Sequence, residues 1–208
     1  MISTATRTPL TRDRIIDAAV VLADSGGVDE LSMRKLGAEL GVEAMSLYNH
    51  VENKDDILDG MIDHVFRAIP LPDGDSDWRF SIRESALAAL DQFVEHPWMV
   101  NLLMQRGMYG LSSLGFMDRV LGLFRRAGFT DEDAHHAWQM LASHTMGYAF
   151  QQASGGHDKH EWESSSPEFS VFPNLAALAP YLANCEFGIE FAFGLEIIIA
   201  GLAARLEG

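Results

Sequence analysis

Apolar residues return every three or four positions through most of this 208-residue chain, and no strand-like alternation lasts beyond a few residues. That period belongs to helices, so an all-α fold is expected. Breaks in the pattern mark where helices stop. Thr11 is a good N-cap for a first helix to about Ser25, with Ile15, Ala19 and Leu22 inward, and Gly26 and Gly27 end it. Ser32 opens a short helix through Leu40, and Gly41 supplies the turn after it. A third helix runs from about Ala44 to Val51. Asn53 caps a longer one to Ile69, where Ile57, Met61, Val65 and Ile69 form a four-spaced apolar stripe.

Pro70, Pro72 and the Asp73-Gly74-Asp75 cluster then interrupt the chain, which places a domain boundary there. Residues 1–69 form one expected domain, with a flexible arm over 1–10 and a linking helix over 53–69. Residues 75–208 form a second, a helical bundle. Its expected helices are Asp77 to Glu95, Trp98 to Arg106, Leu111 to Ala127, Asp131 to Ala153, Leu175 to Ala183 and Glu186 to Leu206. Between them, the Ser, Gly, His and Glu-rich stretch 154–173 has too little apolar area to order itself and is expected to be a mobile loop.

Fifteen Lys and Arg against thirty Asp and Glu give a net charge of −15, which excludes bulk attraction to nucleic acid or to an anionic membrane. The longest stretch free of Asp, Glu, Lys and Arg, Ala134 to His157, holds four His, three Gln and two Ser and makes a poor bilayer span. Cys185 is the single cysteine, so no intrachain disulfide forms, and no basic n-region followed by an apolar core opens the chain. A cytoplasmic location is expected. No Ser-His-Asp set, phosphate-cradling Gly loop or Cys/His ligand cluster is present, so no enzyme, resident metal or cofactor is expected.

The segment SMRKLGAELGVEAMSLYNHV, Ser32 to Val51, has the layout of a helix-turn-helix: a capped helix, a Gly turn, and a short second helix. Such a pair suits DNA because the second helix is small enough to enter a major groove roughly 12 Å wide. Leu36, Leu40, Val42, Leu47 and Val51 are the apolar positions that lock the pair. Ala44, Met45, Ser46, Tyr48, Asn49 and His50 are left to face outward.

Over about residues 11–69 the chain resembles the DNA-binding domain of the TetR family of transcription regulators. The likeness is carried by LSMRKLGAELGV from Leu31 and LYNHVENKDDILD from Leu47. Gly37 departs from it, standing where the family more often has Ala, at a propensity cost of about 1 kcal/mol. The resemblance implies that Tyr48, His50 and Lys54 touch phosphates. It implies that Arg34 reaches a guanine or a phosphate, and that Ala44, Met45, Ser46 and Asn49 read bases. Residues 1–69 nevertheless hold seven basic groups and twelve acidic ones. Specific binding therefore requires the cations to face the duplex while Asp13, Asp17, Asp24 and Asp59 face elsewhere.

The closing helix, FGIEFAFGLEIIIAGLAARL from Phe187, resembles the last helix of the tetracycline-repressor type of ligand domain. It is apolar on nearly every face, which fits a subunit interface, and a homodimer on a palindromic operator is expected. His96, Trp98, Leu103, Met108, Phe116, Trp138, Leu141, His144 and Tyr148 are the candidate lining of a pocket for a small, largely apolar or aromatic effector, although plain core packing also accounts for them. His136, Met140 and His144 share a helix face, but two histidines eight residues apart are about 12 Å apart along the axis and cannot share an ion. His157 and His160 suit a solvated loop. The histidine that binds the drug's magnesium in tetracycline repressors has no counterpart, since Pro70 stands there, so tetracycline is not assigned. The reading is a ligand-responsive repressor that binds operator DNA; the alternative is a helical dimer serving as a protein-binding adaptor with an idle DNA-binding fold.

Overall fold

The computed structural model describes residues 9–72, 76–154, 171–182 and 186–207, and among them every regular element is a helix. They are α1 Arg12–Gly26, α2 Met33–Leu40, α3 Ala44–Leu47, α4 Lys54–Ala68, α5 Trp78–Glu95, α6 Met99–Arg106, α7 Leu111–Ala127, α8 Asp131–Ala153, α9 Pro173–Leu182 and α10 Phe187–Glu207, with a 3₁₀ turn at Val28–Glu30. Most of the expected arm, most of the expected 154–173 loop, and Cys185, His157 and His160 lie outside the described residues.

Side-chain caps start the helices where the sequence places them. Thr11 accepts from the Arg14 N–H, Ser32 from Lys35, Asn53 from Asp56 and Asp77 from Arg79. The Asp56 carboxylate in turn accepts the Glu52 N–H at 3.0 Å, one residue before the cap, so the chain entering α4 is held on both sides of Asn53. Gly41 ends α2 in the left-handed region at φ 65. Helix α3 is shorter than expected: it is α-helical only to Leu47. The Asn49 and His50 N–H groups then bond to carbonyls three residues back, so the chain tightens as it turns toward Asn53.

The chain forms two compact units, and their division is not a simple cut at Pro70. Residues 1–70 are joined in the first unit by residues 98–118, that is, by α6 and the start of α7; residues 71–97 and 119–208 make the second. Residues 98–118 of the expected 75–208 domain thus lie in the same compact unit as the N-terminal helices. The reason lies in specific pairings. The Trp98 indole N–H donates to Asp24 at 2.7 Å, and Arg106 bonds Asp59 at 2.6 Å and Asp55 at 2.9 Å. Phe116 meets Phe66 with ring centroids 5.7 Å apart.

In the first unit Ile15, Ala19, Leu36, Leu47, Ile57, Met61 and Val65 are wholly buried, as is the four-spaced stripe's last member, Ile69. Leu22, Leu40 and Val42 are only half-buried; Ala23 fills the inner position beside Leu22. In the second unit α8 packs against both α5 and α10. Trp78, Phe124 and Phe129 form an aromatic cluster in which Phe129 meets the other two rings edge-on, and α10 buries Phe191, Leu195, Ile199 and Leu202. Helix α10 is long and apolar enough to cross a membrane by length and composition, but Arg83 grips its Glu196 with two bonds at 2.5 and 2.7 Å.

Candidate nucleic-acid interface

The surface of α3 is open. Met45 is 75% exposed and Tyr48 46%; Asn49 and His50 are exposed, and Ala44 and Ser46 half-buried. Only Leu47 is held inside, which anchors the short helix to the core of its unit. Arg34 on α2 is exposed, and Lys54 occupies the first position of α4. A groove of about 330 Å³ runs past this surface between Pro9, Leu10, Arg14, Leu40, Val42, Ser46, Asn49 and His50. A second, of about 530 Å³, is lined by Gly37, Ala38, Gly41, Val42, Glu43 and Ser46.

Gly37 has a local role that propensity alone does not reveal. A Cβ there would lie 2.8 Å from the Val42 carbonyl oxygen and 3.1 Å from the Ala44 nitrogen, so a side chain at 37 would push against the backbone that enters α3. The Val42 N–H donates to the Gly37 carbonyl at 2.8 Å, fixing that entry. The helix-forming penalty of glycine is thus traded for a closer approach of α3 to α2.

Charge is sorted inside this unit. Asp13 lies 4.0 Å from Arg67, Asp17 3.2 Å from His64 Nδ1, Asp24 accepts from Trp98, and Asp59 accepts from Arg106. Every acid that the sequence required to be turned away has a partner within its own unit. Three cations are neutralised as well: Arg12 by Asp56 at 2.8 Å, Lys35 by Glu30, and Arg67 by Asp63 and Asp13. Arg34 and Lys54, both described residues of this unit, have no carboxylate partner among the described ones. Burial works to raise the Asp56 pKa. The Arg12 hydrogen bond, the Glu52 N–H and the Arg12 charge outweigh it and hold the carboxyl below its ordinary value. Lys35 lowers the Glu30 pKa by hydrogen bond and charge, while Asp59 and Asp55 raise that of Arg106 against burial.

Sequence reasoning passed over Arg14 and Glu43. Arg14 lines the groove beside Asn49 and His50 and donates to the Pro9 carbonyl at 2.7 Å. The available signal was a cation in the first turn of a helix, where the macrodipole disfavours one. Glu43 sits at the N-cap position of α3 without capping it and stays exposed.

The effector candidates are distributed over both units. In the first, Trp98 is buried on Asp24, Phe116 on Phe66, Leu103 is buried and Met108 half-buried. In the second, His96, Trp138 and Leu141 are buried. There the structure brings together His144 and Tyr148, whose ring centroids are 4.9 Å apart. The His144 ring stacks on Phe191, and its Nε2 lies 3.0 Å from the Phe191 carbonyl oxygen. His136 and Met140, on the same helix, are exposed. Among the described residues no group of three or more His, Cys, Asp or Glu is placed to hold a metal ion.

Two family models match the chain. One, bacterial regulatory proteins of the tetR family, covers residues 15–61; the other, the tetracyclin repressor-like C-terminal domain, covers 70–206. The chain belongs to the TetR family. Among its relatives, the HTH-type transcriptional repressor DrrR1 of Streptomyces coeruleorubidus is 34% identical over 93% of this chain and 77% of its own length. ActR of Streptomyces coelicolor, solved in complex with actinorhodin, superposes with a TM-score of 0.83 at 33% identity, covering 97% of this chain and 100% of that one. The class A tetracycline repressor from transposon 1721 in Escherichia coli is 28% identical over 95% of this chain and 93% of its own. As a TetR-family protein the chain is a DNA-binding, ligand-responsive transcription repressor, which sets aside the adaptor reading.

Proposed function

We propose that the protein is a homodimeric cytoplasmic repressor, without catalytic activity, that holds a palindromic operator and releases it when a small, largely apolar molecule binds. The observation that carries this reading is the pairing of charge within the first unit. The acids at 13, 17, 24 and 59 are engaged inside the first unit, whereas Arg34 and Lys54 have no carboxylate partner. Tyr48, His50, Lys54 and Arg34 then position the module on phosphates, and Ala44, Met45, Ser46 and Asn49 meet base edges. Asn49 suits adenine, Ser46 donates or accepts, and Met45 and Ala44 pack on thymine methyls.

Symmetry supplies the second half-site. Helix α10 buries one apolar row and presents another, Ile189, Phe193 and Ile197, each more than half exposed. A row of that kind is best covered by the same row of a second copy, and two reading helices then address half-sites about 34 to 36 Å apart. Of the effector candidates, His96, Trp138, Leu141, His144 and Tyr148 belong to the second unit and Trp98, Leu103, Met108 and Phe116 to the first. ActR's complex with actinorhodin supports an effector of that ligand's kind.

Fluorescence anisotropy with the duplex upstream of the protein's own gene tests the proposal. Nanomolar, salt-sensitive binding that added actinorhodin reverses is expected. No binding at low salt by the intact protein contradicts it, and binding that only tetracycline with magnesium reverses contradicts the effector assignment.

A further inference from the structure

A helix that starts on glycine lacks the side chain that normally satisfies its first N–H groups. Helix α7 is such a case. The Leu114 N–H donates to the Gly110 carbonyl at 3.0 Å, which makes Gly110 the N-cap residue, and it has no side-chain oxygen to accept the N–H groups of the first turn. The missing acceptor comes from a different helix. Asp63 on α4 takes the Ser112 N–H at 2.6 Å and the Ser113 N–H at 3.1 Å on one oxygen, and the Ser112 hydroxyl at 3.0 Å on the other. Those are the second and third N–H groups of α7, the pair an N-cap side chain would serve. A Cβ at position 110 would land on the Asp63 carboxylate, so Gly110 is required for the approach.

Asp63 is also the last rung of a ladder. Asp55, Asp59 and Asp63 stand four residues apart on α4; the first two clamp Arg106 at the end of α6. The α6–α7 corner is thus held at both of its sides by one face of α4. Helix α7 continues without a break from residues assigned to the first unit, up to Asp118, into residues assigned to the second, from Arg119.

We propose that Asp63, capping α7 from α4, is the positioning residue that makes residues 98–118 part of the DNA-reading body, so that an effector's signal enters that body along α7. This rests on the repressor reading above. It also gives a role to carboxylates that are otherwise a liability in a DNA-binding unit, since the ladder's negative charge grips the α6–α7 corner.

Coupling is reciprocal, so a signal that runs from effector to operator must be visible from operator to α7. The test is hydrogen exchange on the full-length protein with and without the operator duplex, alongside anisotropy, for the native chain, Asp63→Ala and Asp63→Asn. Operator should slow exchange at Ser112 to Phe116 in the native protein by tenfold or more. In Asp63→Ala that operator-dependent slowing should vanish, while duplex affinity falls less than tenfold; Asp63→Asn, which keeps an oxygen acceptor, should restore it. Unchanged exchange at 112–116 when the native protein binds duplex overturns the inference, and so does full slowing in Asp63→Ala. Should Asp63→Ala not fold, Arg106→Gln removes the other grip and must weaken the same slowing; full slowing there also overturns it. If the native protein does not bind the duplex at all, the repressor reading itself fails, which the anisotropy reports separately.

Discussion

The two units expose different things, and the same rule interprets both. The first presents the cations Arg34 on α2 and Lys54 on α4 beside the exposed polar side chains Tyr48, Asn49 and His50 that follow α3, while Asp17 and Asp59 are engaged elsewhere in the unit. The second presents an apolar row, Ile189, Phe193 and Ile197, along a helix whose other side is wholly buried. Side chains left without partners in one chain indicate what should cover them. Cations and amide groups point to phosphate and base edges, and an unpaired apolar row points to a second copy.

The contrast can be broken most forcefully at α10. Phe193→Glu with Ile197→Glu should yield monomers by analytical ultracentrifugation and cost at least about a hundredfold in operator affinity, since each half-site must then be bound alone. A dimer with native affinity would remove the second unit from the comparison. Next comes the reading surface. Tyr48→Ala with Lys54→Ala should weaken every operator variant alike by roughly 10- to 100-fold, whereas Asn49→Ala should redistribute preference at one base pair by about 1–3 kcal/mol. Uniform losses from both, measured across a panel of single-base operator variants, would erase the distinction between positioning and reading.

Gly37→Ala sharpens the account further. Helix propensity alone predicts a gain of about 1 kcal/mol, but the contact with the Val42 carbonyl oxygen predicts overpacking of about 1–3 kcal/mol. The expected net result is a lower melting temperature and a several-fold weaker operator complex. A more stable, fully active variant would mean that α3 can shift freely. The smallest effect concerns acid. Because the folded Asp56 pKa lies below its ordinary value, its contribution is fully present above about pH 4 and is lost as pH falls through the lower folded value. Asp56→Asn should lower the melting temperature modestly near neutral pH and flatten its decline below pH 4. An unchanged acid limb would mean the Arg12 pair contributes nothing.

How far each unit was legible in the sequence follows from the range of its interactions. Thr11, Ser32 and Asn53 cap helices through bonds spanning three residues, so the helices of the first unit could be laid out from local sequence. The end of α3 was misplaced because its closing turn depends on how Val51 and Asn53 lead into α4. The return of residues 98–118 to the first unit was not legible, since it rests on pairs such as Trp98 with Asp24 and Ser112 with Asp63 that lie 74 and 49 residues apart. Gly37 appeared as a defect because propensity is local, while the Val42 carbonyl it accommodates lies across the turn. Of the effector candidates, only His144 and Tyr148, four apart on one helix, were brought together in a way that periodicity alone anticipates.

The central claim is that a net-acidic module binds DNA through a few cations its own carboxylates leave unpaired. A salt titration of operator affinity by anisotropy, comparing the native protein with Arg34→Ala plus Lys54→Ala, tests it most directly. Two such cations per protomer in a dimer predict a log–log slope of about −4 that falls toward zero in the variant. A flat native slope, or an equally steep one in the variant, would contradict the claim.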